Sequence, residues 1–407
     1  MRLPHRPLPA FTLLVSLAAP AAFAARSFTP EELLQTRRMD DVQLSPDGKW
    51  AAFTVRQKSL AENRDLKDVW VVPTTPGGTA RPLTRDTKSE HPRWSPDGRS
   101  ILVTSARGGD PQLWLFDVAG LSSAPVNTTQ LVGGDPHQLT NLWGGADNGI
   151  FSPDGRTIAF TSDVYASCNG DDLCNRKTSD DRDASKLKAH VETHLFIRHW
   201  TAWRDGKRSH VFALTLPGPQ PTTGPAPMPI ARDLTPGDSD WPTWRLGGGE
   251  DVAFTPDGNE LLISHKAAAR EAWSTNSDLY SVPVTGGAPK NLTESNVGDD
   301  CQPKFSPDGK HLAWLAQERD GYEADQVKLK IQDRRSGKIT VSDYDEGFDS
   351  FAWRRDSKGL VASAILKGRI YAHAIGLDGK VKAGTQPITA DFAVGADGAL
   401  VYVGSGM

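Results

Sequence analysis

The sequence predicts an all-β protein: a seven-bladed β-propeller of four-stranded blades, the last blade incomplete, with a short N-terminal helix. Three observations predict it. A turn-and-strand unit recurs seven times between Asp47 and Asp397, the strand after each turn is apolar on both faces, and the units are spaced at blade length.

The clearest units are Leu44-Ser-Pro-Asp47-Gly, Trp94-Ser-Pro-Asp97-Gly, Phe151-Ser-Pro-Asp154-Gly, Phe254-Thr-Pro-Asp257-Gly and Phe305-Ser-Pro-Asp308-Gly. Two degenerate copies follow, Trp353-Arg-Arg-Asp356-Ser-Lys-Gly and Val394-Gly-Ala-Asp397-Gly. Pro presets φ for a turn, Asp bonds its own backbone, and Gly takes a positive φ without strain. The residue three before each Asp is apolar, and so are those four and six after it, from Ala51 and Phe53 to Val401 and Val403. Short apolar runs around such a turn make a hairpin. The intervening positions Ala52, Leu102, Ala159, Leu262, Ala313 and Val361 are apolar too. A strand apolar on both faces needs a cover on both, which stacked propeller blades provide.

Successive turn aspartates stand 50, 57, 103, 51, 48 and 41 residues apart, where a four-stranded blade takes roughly 40–50. The gap of 103 reads as one blade with an insertion at about 163–208. Thr157–Thr161 supplies its second strand, Ser209–Leu216 its third and Ala231–Thr235 the approach to a fourth, with a Pro-rich loop from Pro217 to Pro229. The propeller is expected over 42–407. The seventh unit has room for two strands before Met407. Either the ring borrows a strand from the N-terminal segment or the sequence is a fragment. Residues 25–41, with Thr29-Pro-Glu-Glu as a helix start, look helical, which favours a fragment.

Residues 1–24 read as a signal peptide: Arg2 and Arg6, an apolar stretch from Ala10 to about Ala19, then Ala22-Phe23-Ala24 as the cleavage site. The apolar run is short of the ~20 residues that span a bilayer. The protein is therefore expected to be exported, periplasmic or secreted. A formal net charge of −4, with no run of Lys and Arg, excludes a basic footprint for nucleic acid. Export permits a disulfide between Cys168 and Cys174, six apart in a polar loop; two free thiols is the alternative. Cys301 is left to pack as a small apolar residue.

The Ser-Pro-Asp-Gly repeats resemble those of TolB-type propellers. The signal peptide, the helix before the first repeat and the run Leu195-Phe-Ile-Arg-His-Trp-Thr-Ala-Trp-Arg-Asp-Gly-Lys-Arg-Ser-His-Val-Phe212 resemble, more specifically, the propeller of bacterial serine peptidases of the prolyl oligopeptidase family, in the dipeptidyl-peptidase and acylaminoacyl-peptidase-like branch. The resemblance implies a further α/β-hydrolase domain with a Ser, Asp and His triad, over which the propeller filters peptides by size. No Gly-x-Ser-x-Gly nucleophile elbow stands in the 407 residues; Gly237-Asp-Ser239-Asp-Trp241 and Gly120-Leu-Ser122-Ser-Ala124 lack the last Gly. The hydrolase domain is thus expected to be missing from this chain, no catalytic residue is assigned, and the chain alone is expected to be inactive. The competing reading is a stand-alone TolB-like periplasmic interaction module.

The resemblance places the insertion near the hydrolase, so Arg198, His199, Trp200 and Arg204 are the expected substrate-binding residues, since an Arg can hold a peptide carbonyl or carboxylate. The alternative for Arg198 and Arg204 is a structural tie between insertion and blade. His190, His194, His199 and His210 could suggest a metal, yet the spacing is not His-Glu-x-x-His, and a solvated loop is the better reading. Asp180, Asp181 and Asp183 lack the EF-hand pattern and also read as a solvated loop. Trp200, Trp203, Trp241 and Trp244 are expected to pack rather than to bind. No cofactor or metal is expected. The expected partners are the hydrolase domain of the intact protein and peptides. Asp47, Asp97, Asp154, Asp257, Asp308, Asp356 and Asp397 are read as structural turn residues.

Overall fold

A computed structural model describes residues 28–121, 135–189, 191, 195, 198–199, 202–216, 228–243, 249–384, 387–388, 391–395 and 398–404. The expected signal peptide, most of the Pro-rich loop, His190, Glu192, His194, Trp200, Trp244 and Asp397 lie outside the described residues.

Helix α1 (Pro30–Gln35) opens the described chain, capped by Thr29, whose hydroxyl accepts from Glu32 N while Glu32 returns a bond to Thr29 N. The expected helical segment ends early. Thr36 turns extended and β1 begins at Arg38, because residues 38–40 pair with Arg56 to Thr54 of the next strand.

Blade 1 comprises β1 (Arg38–Leu44), β2 (Trp50–Ser59), β3 (Arg64–Pro73) and β4 (Arg81–Pro82), and blade 2 comprises β5 (Ser89–Trp94), β6 (Ser100–Ser105), β7 (Gln112–Asp117) and β8 (His137–Gln138). Blade 3 holds β9 (Asp147–Phe151) and β10 (Thr157–Tyr165). Then comes the insertion with α2 (Asp172–Ala184), β11 (Arg198–His199) and β12 (Ala202–Trp203), and β13 (Lys207–Thr215) and β14 (Ala231–Asp233) complete the blade. Blade 4 is β15 (Val252–Phe254), β16 (Glu260–His265), β17 (Asp278–Pro283) and β18 (Lys290–Asn291); blade 5 is β19 (Asp300–Phe305), β20 (His311–Ala316), β21 (Lys328–Asp333) and β22 (Ile339–Val341). In blade 6, β23 (Phe348–Trp353), β24 (Gly359–Leu366) and β25 (Arg369–Gly376) are followed by β26 (Val381–Lys382) and β27 (Pro387–Ile388), which share the outer edge of β25. A hairpin of β28 (Phe392–Val394) and β29 (Leu400–Tyr402) completes the set.

The blade count therefore differs from expectation. Among the described residues six blades are present, five of four strands and the sixth with both β26 and β27 on β25, and the seventh unit is a two-stranded hairpin. The apolar frame of a unit marks its first two strands only, so seven frames do not require seven complete sheets.

The second strands carry the core. Leu102, Ile158, Leu261, Ala313 and Leu360 are almost fully buried. The apolar clusters lie between adjacent sheets: Ala52 and Val71 meet Ile101 and Val103, and Leu102 and Leu113 meet Ile158 and Phe160. The seventh hairpin packs Ala393, Val401 and Val403 on Val42 and Phe53 of blade 1. Fourth strands stay short because a hydroxyl finishes them. Thr84, Thr140, Thr235 and Thr293 each accept from a third-strand amide at 2.9 Å.

Each turn is a small polar machine. Asp97 Oδ1 accepts from Ser95 Oγ at 2.6 Å and from Arg99 N at 3.0 Å. The same pair of bonds recurs at Asp47, Asp154, Asp257 and Asp308. These hydroxyl and amide donors hold the turn carboxyls below their ordinary range. Gly98 and Gly155 have φ near +71°, and a Cβ there would meet Pro46 and Pro96 of the preceding blade at 3.5 and 3.4 Å. The proline of one turn thus seats against the glycine of the next. In the degenerate sixth unit, Ser357 takes the left-handed position and accepts from Asp308 N at 3.1 Å. Arg355 stands where proline would be and donates to Ser45 O and Pro46 O of blade 1.

Antiparallel pairing divides the propeller into two faces. The Asp turns occupy one. The connections from second to third strands, the links between blades, α1 and the described end at Gly404 all occupy the other, here called the loop face.

Candidate functional site

The insertion springs from the loop face of blade 3. Asp171 caps α2 by accepting from Leu173 N and Cys174 N at 2.9 and 3.1 Å. Cys168 and Cys174 form a disulfide across its first turn. Asn175 is buried and accepts from Tyr165 N at 2.9 Å, while Arg182 lies over the Tyr165 ring and donates to Asp205 O. The polar stretch expected as a solvated loop is therefore partly helical. Asp180, Asp181 and Asp183 lie on α2, and Asp181 pairs with Lys177 one turn earlier.

The hairpin of β11 and β12 follows, pairing Arg198 with Trp203 and His199 with Ala202. Arg198 is exposed and Trp203 half-exposed. Arg204, next in the chain, is buried and paired with two carboxylates, Asp240 and Glu271, the latter at 2.6 Å. Asp240 belongs to the link into blade 4 and Glu271 to the loop after β16. Arg208 stands 3.5 and 3.7 Å from the same two acids and bonds Asp238 at 2.6 Å. Burial pushes both carboxyls up, and Arg208 pulls them back. Behind them Trp241 stacks on His265 with ring centres 3.5 Å apart, and His265 Nδ1 lies 2.9 Å from Asp240 O.

Arg204 faces carboxylates inside the protein, an arrangement that fits the structural tie weighed as its alternative role. His210 is buried in β13 rather than in a solvated loop, with Nδ1 2.7 Å from Asp233 and Nε2 3.0 Å from Gly237 O. Both ring nitrogens are thereby occupied. Trp241 packs, as expected for it, whereas Trp203, also expected to pack, is half-exposed on the insertion hairpin.

A second polar feature escaped the sequence reading. First strands of neighbouring blades touch one another from β15 through β19, β23, β28, β1 and β5 to β9, with residues 249–251 just before β15 meeting β9, and form the inner wall of the ring. Six residues before each turn Asp stand Asp41, His91, Asn148, Asp251, Gln302, Ser350 and Asp391, all polar. Pairing registers break at this level in β1, β5, β9, β19 and β23. Asp41, His91, Asn148 and Gln302 take φ between +52° and +56° there, the mark of a bulge that re-aims a side chain. Their bonds run from blade to blade. Arg93 meets Asp41 at 2.7 Å, His91 Nδ1 meets Asp147 at 2.8 Å, and Gln302 N donates to Asp251 at 3.0 Å. Asp41 N donates to Asp391 of the hairpin. Burial lowers the Lys304 ammonium of this wall to about 8, against the attraction of Glu250. On the turn face, a cavity of about 630 Å³ between blades 1 and 2 is walled by Trp50 and Trp94, away from both features.

No family model matches the chain. It is 31% identical over 366 residues to dipeptidyl-peptidase 5 of Porphyromonas gingivalis, covering 88% of this chain and 49% of that protein. To dipeptidyl-peptidase 5 of Porphyromonas endodontalis it is 32% identical over 305 residues, covering 74% of this chain and 40% of that protein. This chain is a propeller domain of the prolyl oligopeptidase family of peptidases. It spans about half the length of the curated relatives it matches. Among solved structures it shares the fold of an acylaminoacyl peptidase bound to a chloromethyl ketone (TM-score 0.60, 13% identity, 87% of this chain and 47% of that one). The Pyrococcus horikoshii acylaminoacyl peptidase is similar (TM-score 0.58, 12% identity, 89% and 48%).

Two outcomes follow for this prolyl oligopeptidase-family propeller. Arg204→Ala leaves two buried carboxylates short of a counter-charge, which costs roughly 3–5 kcal/mol. Urea unfolding reads this, and Asp240→Asn with Glu271→Gln in the same chain recovers most of it. A loss within about 1 kcal/mol, the value of a surface pair, contradicts the anchor. The His91–Asp147 pair is pH-dependent. Asp147 is lowered to about 2, chiefly by His91 against its burial, so its share is complete above the ordinary carboxylate pKa and lost as pH falls towards 2. His91 is raised by Asp147, so its share is complete below 6.5 and lost as pH climbs through the raised value. His91→Gln therefore lowers Tm most between about pH 4 and 6.5, by about 1–2 °C for a partly exposed pair, and thermal scans across pH check the window.

Proposed function

We propose that this chain is the substrate-gating propeller domain of an exported serine peptidase that hydrolyses short peptides. The observation that carries the reading is the 31% identity over 366 residues to a protein named dipeptidyl-peptidase 5. In the intact protein, peptide hydrolysis proceeds by acyl transfer through a Ser, with His as base and Asp orienting it. Those three residues belong to a domain outside these 407 residues, and this chain contributes admission and orientation.

Two features of the propeller support that division. The axis is walled by polar side chains bonded between blades, so its width is set by rigid sheets rather than by mobile loops. The insertion stands on the loop face, where both described chain ends emerge, and Arg204 fixes it there. Arg198, His199 and Trp200 are the residues proposed to meet a peptide. No helix among the described residues is long and apolar enough to cross a membrane, and the proposed location after cleavage at Ala24 is the periplasm or the medium.

The test compares two polypeptides with dipeptidyl-p-nitroanilide substrates. The 407-residue chain gives no turnover above buffer. The longer product of the reading frame, at the relatives' length, releases nitroaniline and loses this on replacing its nucleophilic Ser. Turnover by the 407 residues alone contradicts the reading. A reading frame with no Ser, Asp and His domain favours a stand-alone interaction module.

A further inference from the structure

Charge on the turn face is segregated. In blades 1 to 4 the repeat turns carry one Asp each and at most one cation, Lys49, Arg99 or Arg156, and the connections from third to fourth strands carry no Lys or Arg. Blades 5 and 6 differ. Lys310 follows the fifth turn, and Arg334, Arg335 and Lys338 occupy the connection from β21 to β22. The sixth unit adds Arg354, Arg355 and Lys358, and Lys380 and Lys382 follow where β25 passes into β26. These cations come from four connections spread over residues 310–382, so no run in the sequence announces them. The chain as a whole is anionic, at a formal −4.

Folding brings the four connections onto one surface. Arg334 N donates to Lys310 O at 2.9 Å, and its guanidinium donates to Gly309 O at 2.6 Å and lies over the Phe305 ring. That seats the β21–β22 connection beside the fifth turn. Asp308 N donates to Ser357 Oγ at 3.1 Å, which ties the fifth turn to the sixth. Asp343 N donates to Gly379 O at 3.0 Å, so the β25–β26 connection closes against the chain leaving β22.

The acids within this surface are already committed. Asp308, Asp333, Asp356 and Asp378 each accept a backbone amide of their own turn. Lys310, Arg354 and Lys380 stand 3.3, 2.8 and 3.5 Å from such carboxylates. The side chains of Arg335, Lys338, Lys358 and Lys382 are exposed and make no hydrogen bond or ion pair among the described residues. Beside them β22 exposes two aliphatic side chains, Ile339 at 47% and Val341 at 40%. A bilayer of acidic lipid suits this combination, because its headgroups attract the cations and its interfacial layer accepts the apolar tips. A soluble polyanion would engage the charges alone.

We propose that the turn face of blades 5 and 6 docks on a bilayer surface of acidic phospholipid. Charge complementarity selects the occupant, and the aliphatic tips of β22 favour a bilayer over a polymer. The surface does not depend on the peptidase reading. A molecule docked this way turns its loop face, with the insertion, away from the lipid.

Vesicle co-sedimentation of the product of the reading frame, without residues 1–24, tests the surface. Binding to vesicles of equal parts phosphatidylglycerol and phosphatidylcholine is expected to exceed binding to phosphatidylcholine alone by at least about tenfold, and to fade as salt rises past about 0.15 M. Arg335→Glu, Lys338→Glu and Lys358→Glu together are expected to abolish that preference. Lys49→Glu, Arg99→Glu and Arg156→Glu together change the net charge equally on other blades of the same face, and are expected to shift binding by less than about twofold. Ile339→Ser is expected to weaken vesicle binding about threefold and to leave heparin binding unchanged. Circular dichroism checks that each variant keeps its sheets. No preference for the acidic vesicles, or an equal loss from the two charge reversals, overturns the proposal. So does an Ile339→Ser protein that binds the vesicles undiminished while heparin strips it from them, which assigns the patch to a soluble polyanion.

Discussion

Every blade among the described residues has a second strand that is apolar on both faces, and the architecture follows from covering it. A lone four-stranded sheet built on Ile101, Leu102 and Val103 would leave both faces of that strand in water. Burial of each such side chain is worth about 1.5–3 kcal/mol, so the sheets stack. The right-handed twist of strands turns a stack of sheets into a ring. The cores are accordingly interfaces between blades, as Ala52 with Ile101 and Leu102 with Ile158 show.

A stack has two ends, and the molecule handles them with side chains. No strand pairs the first blade with the last described hairpin. Ala393, Val401 and Val403 pack on blade 1, Asp391 takes the Asp41 amide, and Arg355 reaches two carbonyls of the first turn. The sixth turn departs from Ser-Pro-Asp-Gly where this reach is needed. Its arginine replaces a proline that could only have packed.

Much of this was legible in the chain. The apolar frame around each Asp located the first two strands of every blade, and Ser209–Leu216 and Ala231–Thr235 marked the outer strands of the third. The blade count was less legible, since a frame marks a hairpin and not a whole sheet. Helix α2 was missed because it is polar all round; a disulfide, a cap and the buried Asn175 hold it, and none is a periodic signal. Arg204 stayed open between ligand contact and structural tie for a similar reason. Its partners Asp240 and Glu271 lie 36 and 67 residues away, so nothing local distinguishes an anchor from a ligand contact. The axial residues were readable at a constant offset from the turn, but their meaning depends on first strands being innermost, which only the assembled ring reveals.

On the proposed function, the ring admits short peptides to chemistry performed elsewhere in the same protein. The most direct measurement is kcat/KM of the longer polypeptide on one cleavable sequence extended in steps from a few residues to a small folded domain. The account predicts a steep fall once the substrate exceeds the width of an unfolded chain entering end-on, with the folded domain left uncut. A rate independent of length, or cleavage of the folded domain at a comparable rate, would contradict it.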